Sequence, residues 1–242
     1  MVILALYDIH GNLEALDAVL ADLEREPDAV VVGGDAVPGP FARAVLDRLD
    51  ALDPPVHWIR GNGEREVAEA VAAGEPPADD MVRRTAWLSA QELGEARAGA
   101  LGRLPLTVEL DGVLFCHASP RSDDEMLTRL STDERWQEAL GGVDAPLVVA
   151  GHTHQQDDRV VGRVRAVNAG SVGLPYEGDG AARWVRVVDG RPEPRSTVYD
   201  ARGAGARILD AGWPDERSTG AALIDPVEPG VITRMFEDRA PS

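Results

Sequence analysis

One cysteine stands in 242 residues. A lone thiol excludes an internal disulfide and a zinc site built from several thiolates. Cys116 lies in an apolar run and reads as an inert core thiol. A secretory leader is not expected either. Met1-Val2-Ile3-Leu4-Ala5-Leu6 is apolar but has no basic segment, and Tyr7-Asp8 ends the run at once. It reads as a buried first strand rather than a signal peptide, which makes the cytoplasm the expected address. No stretch approaches the unbroken apolar length of a membrane span. Positive charge is scarce: 24 Lys and Arg face 42 Asp and Glu, for a net charge of −18. That disfavours long nucleic acid, whose phosphate backbone is gripped by surplus basic side chains. Small anionic substrates stay open, because bound cations would reverse the sign locally. No internal repeat and no clear linker is present. The remainder is ordinary globular composition, 44% apolar and 27% charged, and the length allows one large α/β domain or two small ones around a sizeable core.

The first 62 residues alternate between two periods. Val2 to Leu6 and Ala29 to Val32 are short continuous apolar runs, as expected of strands buried on both faces, and Val56 to Ile59 reads as a third strand. Between them Leu13, Leu16, Leu20 and Leu23, and then Phe41, Val45 and Leu49, recur at helical spacing. Strand-helix-strand-helix-strand implies parallel pairing with right-handed crossovers. Residues 63 to 103 favour helix, broken at Gly74-Glu75-Pro76-Pro77, and two or three helices are expected there. Leu106 to Leu110, Asp111-Gly112 and Val113 to Cys116 spell a hairpin. A short helix over Asp133 to Leu140 and a buried strand over Leu147 to Ala150 follow. Further strands are expected over Arg159 to Val167, Arg183 to Val188 and, past a second Asp-Gly turn, Ser196 to Tyr199. From about residue 200 the chain is rich in Gly, Ala, Pro and charge. A helix is expected only near Ala206 to Ala211, and disorder in the last few residues.

Four of the five histidines fall in three short motifs: Asp8-Ile9-His10-Gly11-Asn12, Phe115-Cys116-His117 and Gly151-His152-Thr153-His154. Gly34-Asp35 and Gly61-Asn62 lie between the first two. Asp8, Asp35, Asn62, His117 and the pair His152 and His154 each sit just past the end of an apolar strand. In open α/β sheets that edge is where ligands bind, so groups far apart in sequence are expected to converge. Glycines flank nearly all of them, where the chain turns sharply. Asn12 is placed to cap the following helix. Mixed imidazole, carboxylate and amide oxygen suits Mn²⁺, Fe, Zn²⁺ or Ni²⁺ better than Mg²⁺ or Ca²⁺ alone. This is the inventory of a two-metal site. Two such ions, with a carboxylate between them, can lower the pKa of a bridging water and clamp both ends of an in-line phosphoryl displacement. Metal-dependent hydrolysis of a small phosphate ester is the expected chemistry.

In that order, Asp8-Ile9-His10, Gly34-Asp35, Gly61-Asn62-Gly63-Glu64, His117 and Gly151-His152-Thr153-His154 resemble the pattern of the calcineurin-like metallophosphoesterase superfamily over roughly residues 1 to 190. Taken singly each motif is common; five together are not. Asp8 to Leu16, His117-Ala118-Ser119-Pro120 and Asn168 to Gly173 resemble its small bacterial and archaeal phosphodiesterase-like branch. The resemblance implies an α/β fold, a four-layer α/β/β/α sandwich, with the metallophosphoesterase domain over residues 1–200. A helical cap insertion is expected at about 63–103 and a partly irregular C-terminal extension over 201–242. It implies one metal on Asp8, His10, Asp35 and His154, and a second on Asp35, Asn62, His117 and His152, Asp35 bridging. Asp35, Asn62, His117 and His152 are the residues expected to serve catalysis, with a metal-bridging hydroxide as nucleophile.

One position departs from the pattern. The family's Gly-Asn-His motif often supplies a histidine that helps protonate the leaving group, and here Gly63 stands there. That favours a phosphodiester or activated ester over an alkyl monoester, whose leaving alkoxide needs the proton more. A phosphomonoesterase or phosphoprotein phosphatase on the same site is the alternative. A third reading is a non-catalytic metal-binding interaction module, as in the retromer scaffold subunit. A homodimer is compatible with the chain, but no feature demands one. His57, within a strand, reads as structural, and Trp58, Trp87, Trp136 and Trp184 as core. Arg60 and Arg121 fit ion pairing better than phosphate binding. Ser119 and Ser171 have no partnered base and are not expected to act as nucleophiles.

Overall fold

A computed structural model describes residues 1–214 and 219–239 of the chain. The N-terminal pattern folds as its periods dictate. Strands β1 (Val2–Leu6), β2 (Ala29–Val32) and β3 (Val56–Trp58) alternate with helices α1 (Leu13–Ala21) and α2 (Ala42–Asp50), and the strands pair in parallel. Asn12 caps α1, its Oδ1 accepting from the Ala15 N–H. Three helices follow, α3 (Asn62–Ala73), α4 (Met81–Leu93) and α5 (Glu95–Leu101). Next come β4 (Thr107–Leu110), β5 (Val113–Cys116), α6 (Asp133–Ala139) and β6 (Leu147–Ala150). Then β7 (Gln156–Val161), β8 (Val164–Ala169), β9 (Ala182–Val188) and β10 (Arg191–Thr197) complete the sheets. The described chain ends with α7 (Ala201–Asp210), α8 (Gly220–Ile224) and α9 (Pro229–Arg239).

The strands form two mixed five-stranded sheets, in the orders β10-β9-β1-β2-β3 and β4-β5-β6-β8-β7. Alternate residues of β1 explain its unbroken apolar run. Leu4 and Leu6 face the helices of the first layer, whereas Ile3 and Ala5, with Tyr7 just past the strand, face the second sheet with Phe115, Val149 and Val167. Trp136 and Ala139 of α6 cover the far face of the second sheet. The result is the expected α/β/β/α sandwich. Tyr7 spans the inner layer and donates its hydroxyl to the Val149 carbonyl, so a buried polar atom is satisfied and the two sheets are tied beside the first motif. Cys116 is fully buried, and burial pushes its thiol pKa up.

Two strand expectations need correction. Arg159 to Val167 is not one strand. Gly162, at φ +60°, and Arg163 turn the chain, and Val161 pairs with Val164 in a hairpin. The final strand starts at Arg191, directly after Asp189-Gly190, and ends at Thr197 rather than Tyr199. Pro192 and Pro194 argue against a central strand, but β10 is an edge, where prolines are tolerated. In the C-terminal part the helix starts at Ala201 rather than Ala206, and α8 and α9 join it. The expected disorder of the last few residues concerns positions 240–242, which lie outside the described residues. No helix among the described residues is long and apolar enough to cross a membrane.

Candidate metal centre

The ends of β1, β2, β3, β5 and β6 meet at one edge of the sandwich and bring the candidate ligands together. Ligand atoms of Asp8, His10 and His154 lie within 4.8 Å of one another, and so do those of Asp35, His117 and His152. Asp35 faces both groups: its Oδ2 is 3.7 Å from His10 Nε2, and its Oδ1 is 3.5 Å from His117 Nε2. Asn62 opens α3 and lines the same cavity as Asp35 and His152. Every ligand expected from the sequence is thus gathered at one place.

Backbone hydrogen bonds lock the loops. Asp8 N–H donates to the Gly34 carbonyl and His10 N–H to the Asp35 carbonyl. The Asp8 carboxylate accepts from the His152 N–H at 2.9 Å. Ser171 donates its hydroxyl to the Asp8 carbonyl and so holds this loop. Glu64, fully buried, accepts from the N–H groups of Asp35, Ala36, Val37 and Gly61. One carboxylate therefore organises two ligand-bearing loops. Asp8, His10, Asp35, His152 and His154 all have φ between 46° and 71°. Asp111 and Asp189, the other described non-glycine residues at positive φ, belong to the two Asp-Gly turns. Left-handed backbone at an ordinary side chain costs about 1–3 kcal/mol per residue, and such strain gathers at functional sites.

Ring orientation is set from behind. His117 Nδ1 is 3.0 Å from the Gly33 carbonyl, His154 Nδ1 is 2.7 Å from the Leu174 carbonyl, and His10 Nδ1 is 3.3 Å from the Pro38 carbonyl. A carbonyl only accepts, so each Nδ1 carries the proton and each Nε2 lone pair points inward. His10 and His154 then oppose bare Nε2 atoms at 3.2 Å, a contact that calls for a cation or proton. Four inward atoms, Asp8 Oδ1, Asn62 Oδ1, His117 Nε2 and His152 Nε2, are buried with no hydrogen-bond partner. Unpaired buried polar atoms are costly, and metal coordination would satisfy all four. The donor set fits divalent metals.

The electrostatics point the same way. Burial and neighbouring imidazoles hold His10 down to about 4 and His152 down to about 3, so both stay neutral as ligands require. Burial also works against protonation of His154, but the Asp8 carboxylate 3.3 Å away raises its pKa. Burial, Glu64 and Asp8 raise Asp35. The negative charge crowded there is what cations would relieve.

Other residues have structural partners. Arg60 bonds Asp123 and the Gly102 carbonyl, and Arg121 pairs with Glu125. His57 lies within β3. Trp58, Trp87 and Trp184 pack in the first-layer core and Trp136 in the far layer. The sequence reading missed Gln155, Tyr176, Trp213 and Phe236. Tyr176, Trp213 and Phe236 line the cavity, but no motif marks any of them. Gln155 directly follows the last motif and fastens it to α9, donating to the Tyr176 and Pro229 carbonyls and accepting from Thr233.

Two mixed sheets flanked by helices, with a His/Asp cluster at the strand ends, define a metal-dependent hydrolase. The chain belongs to the calcineurin-like phosphoesterase superfamily, whose domain model matches residues 1–189. Its fold is similar to that of a hypothetical protein from Pyrococcus horikoshii (TM-score 0.78, 21% identity, 94% of this chain and 99% of that one). It is also similar to a metallophosphoesterase from Sphaerobacter thermophilus (TM-score 0.74, 24% identity, 94% and 99% covered). No protein of curated function matches it in sequence.

Metal removal should be visible in stability. A ligand at 100 times its Kd stabilises the native state by about 2.7 kcal/mol, or roughly 5–10 °C in Tm for a chain of this size. Calorimetry of chelator-treated protein with and without Mn²⁺ is expected to show that rise. An unchanged Tm across millimolar Mn²⁺ would count against the cluster as a cation site.

Proposed function

We propose that this protein is a dinuclear metal-dependent phosphodiesterase. The observation that carries the reading is the pair of ligand groups joined by Asp35, whose two carboxylate oxygens face His10 on one side and His117 on the other. Asp8, His10, Asp35 and His154 would hold one ion; Asp35, Asn62, His117 and His152 would hold the other. Mn²⁺, Fe, Zn²⁺ and Ni²⁺ suit the donor set. Bound there, two such ions would activate the attacking water and draw charge from the phosphoryl oxygens. The chain's own part is positioning. Carbonyls of Gly33, Leu174 and Pro38 aim three imidazoles, Glu64 sets the Asp35 loop, and Asn62 leaves its Oδ1 free by turning its amide nitrogen to Glu66. In this reading residues 1–200 are the catalytic domain, α3–α5 form a helical cap, and 201–242 are an extension. The cytoplasm, where a lone thiol such as Cys116 stays reduced, is its place of action.

Two features favour a diester. Gly63 offers no side chain to protonate a poor leaving group. Among the described residues lining the cavity the charged ones are Asp35 and Glu66, and none is an arginine. Among them no cationic side chain is there to neutralise the second charge of a dianionic monoester beyond what the bound ions would supply. With Mn²⁺ present, bis-p-nitrophenyl phosphate is expected to be cleaved with a kcat/KM at least about tenfold above p-nitrophenyl phosphate, about 1.4 kcal/mol in transition-state binding. The reverse preference would keep the centre and reassign the substrate to monoesters. Cleavage of neither, with metal bound, would favour an interaction module.

A further inference from the structure

Beyond the cluster of candidate ligands the cavity continues into an apolar wall. Its volume is about 380 Å³, within the range of small-molecule sites, roughly 300–1,000 Å³. In a chain with only 5% aromatic residues, Tyr176, Trp213 and Phe236 all line this cavity, joined by Met81, Met126 and Leu174. The aromatic surface begins at the ligands themselves. Tyr176 stacks on His154 with ring centres 4.9 Å apart and planes 12° from parallel, and Phe236 stands 6.0 Å beyond Tyr176.

The wall is built and held. Trp213 is anchored in a small core with Ile208 and Leu223, packed against Phe41 and Leu88. Helix α9, which carries Phe236, is fastened twice. Gln155 binds the Pro229 carbonyl and the Thr233 hydroxyl. Glu237 accepts from Thr128, Ser131 and Arg135. A C-terminal segment beyond the family domain match is thus pinned to the last ligand motif with its ring facing the cavity.

We propose that this wall is a specificity site for a flat aromatic group carried by the phosphodiester, with Phe236 and Met81, which both line it, as specificity-determining residues. The proposal rests on the phosphodiesterase reading, which places the phosphorus at the metal ligands and leaves the ester's second substituent to lie on the wall. Rings favour offset or edge contact with other rings, and methionine sulfur packs well on ring edges. An alkyl group of similar charge would leave most of this surface unfilled.

The test separates the two ideas by measuring binding without turnover. Calorimetry of Mn²⁺-loaded protein would compare methylphenylphosphinate with dimethylphosphinate, monoanions that contain no ester bond. The phenyl ligand is expected to bind at least about tenfold more tightly. Phe236→Ala and Met81→Ser should each cut that ratio to about threefold or less. Met81 is 37% exposed and Val82, beside it on the same wall, 64%. Met81→Ser and Val82→Asp therefore carry the test even if Phe236→Ala unfolds. Equal binding of the two ligands by wild-type protein overturns the wall, whether or not diesters are hydrolysed, and so does a ratio that every variant leaves intact. A clear phenyl preference without diester hydrolysis keeps the wall and removes the phosphodiesterase reading.

Discussion

Asp35→Asn is expected to lower cleavage of bis-p-nitrophenyl phosphate by at least about a thousandfold, some 4 kcal/mol of transition-state stabilisation. Bound manganese, measured by elemental analysis after gel filtration, is expected to fall from two ions per chain to one or fewer. The substitution is nearly isosteric. An asparagine carbonyl can still accept from the Gly63 N–H, which now bonds Asp35 Oδ1 at 2.7 Å. What is lost is the charge, and with it the oxygen facing His10. The amide nitrogen that replaces it cannot serve as a ligand. Asp35 is buried beside Glu64 and Asp8, whose charges make its ionised form costly. Removing a buried, crowded carboxylate should therefore not weaken the metal-free fold. Urea melts of chelator-treated protein are expected to place the variant at or above the wild-type midpoint. Lost activity together with a lower metal-free midpoint would point to a structural role for Asp35.

Gly63→His is expected to unfold or badly weaken the protein instead of adding a general acid. A Cβ at position 63 would lie 2.1 Å from the Val37 carbonyl oxygen and 2.8 Å from Pro38 Cδ. Both belong to the loop that Glu64 fastens, so neither yields cheaply. Overpacking of a tight site costs about 1–3 kcal/mol, and more where backbone must move. The shift would also break the Gly63 N–H bond to Asp35. Gly63→Ala tests the same contact without the imidazole, and both variants should lower the urea midpoint and the diester activity together. A histidine variant with the wild-type midpoint and new monoesterase activity would show that position 63 is only a missing side chain.

That contact illustrates how far residues can be read alone. Gly63 is visible in the sequence as a departure from a motif, but its closeness to Val37 arises only when the loop after β2 folds back over the start of α3. Pro192 and Pro194 make the same point. Whether a proline breaks a strand depends on whether the strand is an edge, and strand order is a tertiary property. The hairpin at Gly162-Arg163 was hidden because its apolar residues run on with little interruption across the turn.

By itself the sequence determined the strand-helix alternation to residue 62, the Asp-Gly turns, and the placement of Asp8, Asp35, Asn62, His117, His152 and His154 at strand ends. Periodicity and turn chemistry are local, so short stretches encode them. Only the tertiary structure decided that Asp35 faces both ligand groups, that Glu64 holds two loops, and that Tyr176, Trp213 and Phe236 share a cavity with the histidines. Those relations join residues tens to hundreds of positions apart, and they follow from which surfaces each layer buries against the next.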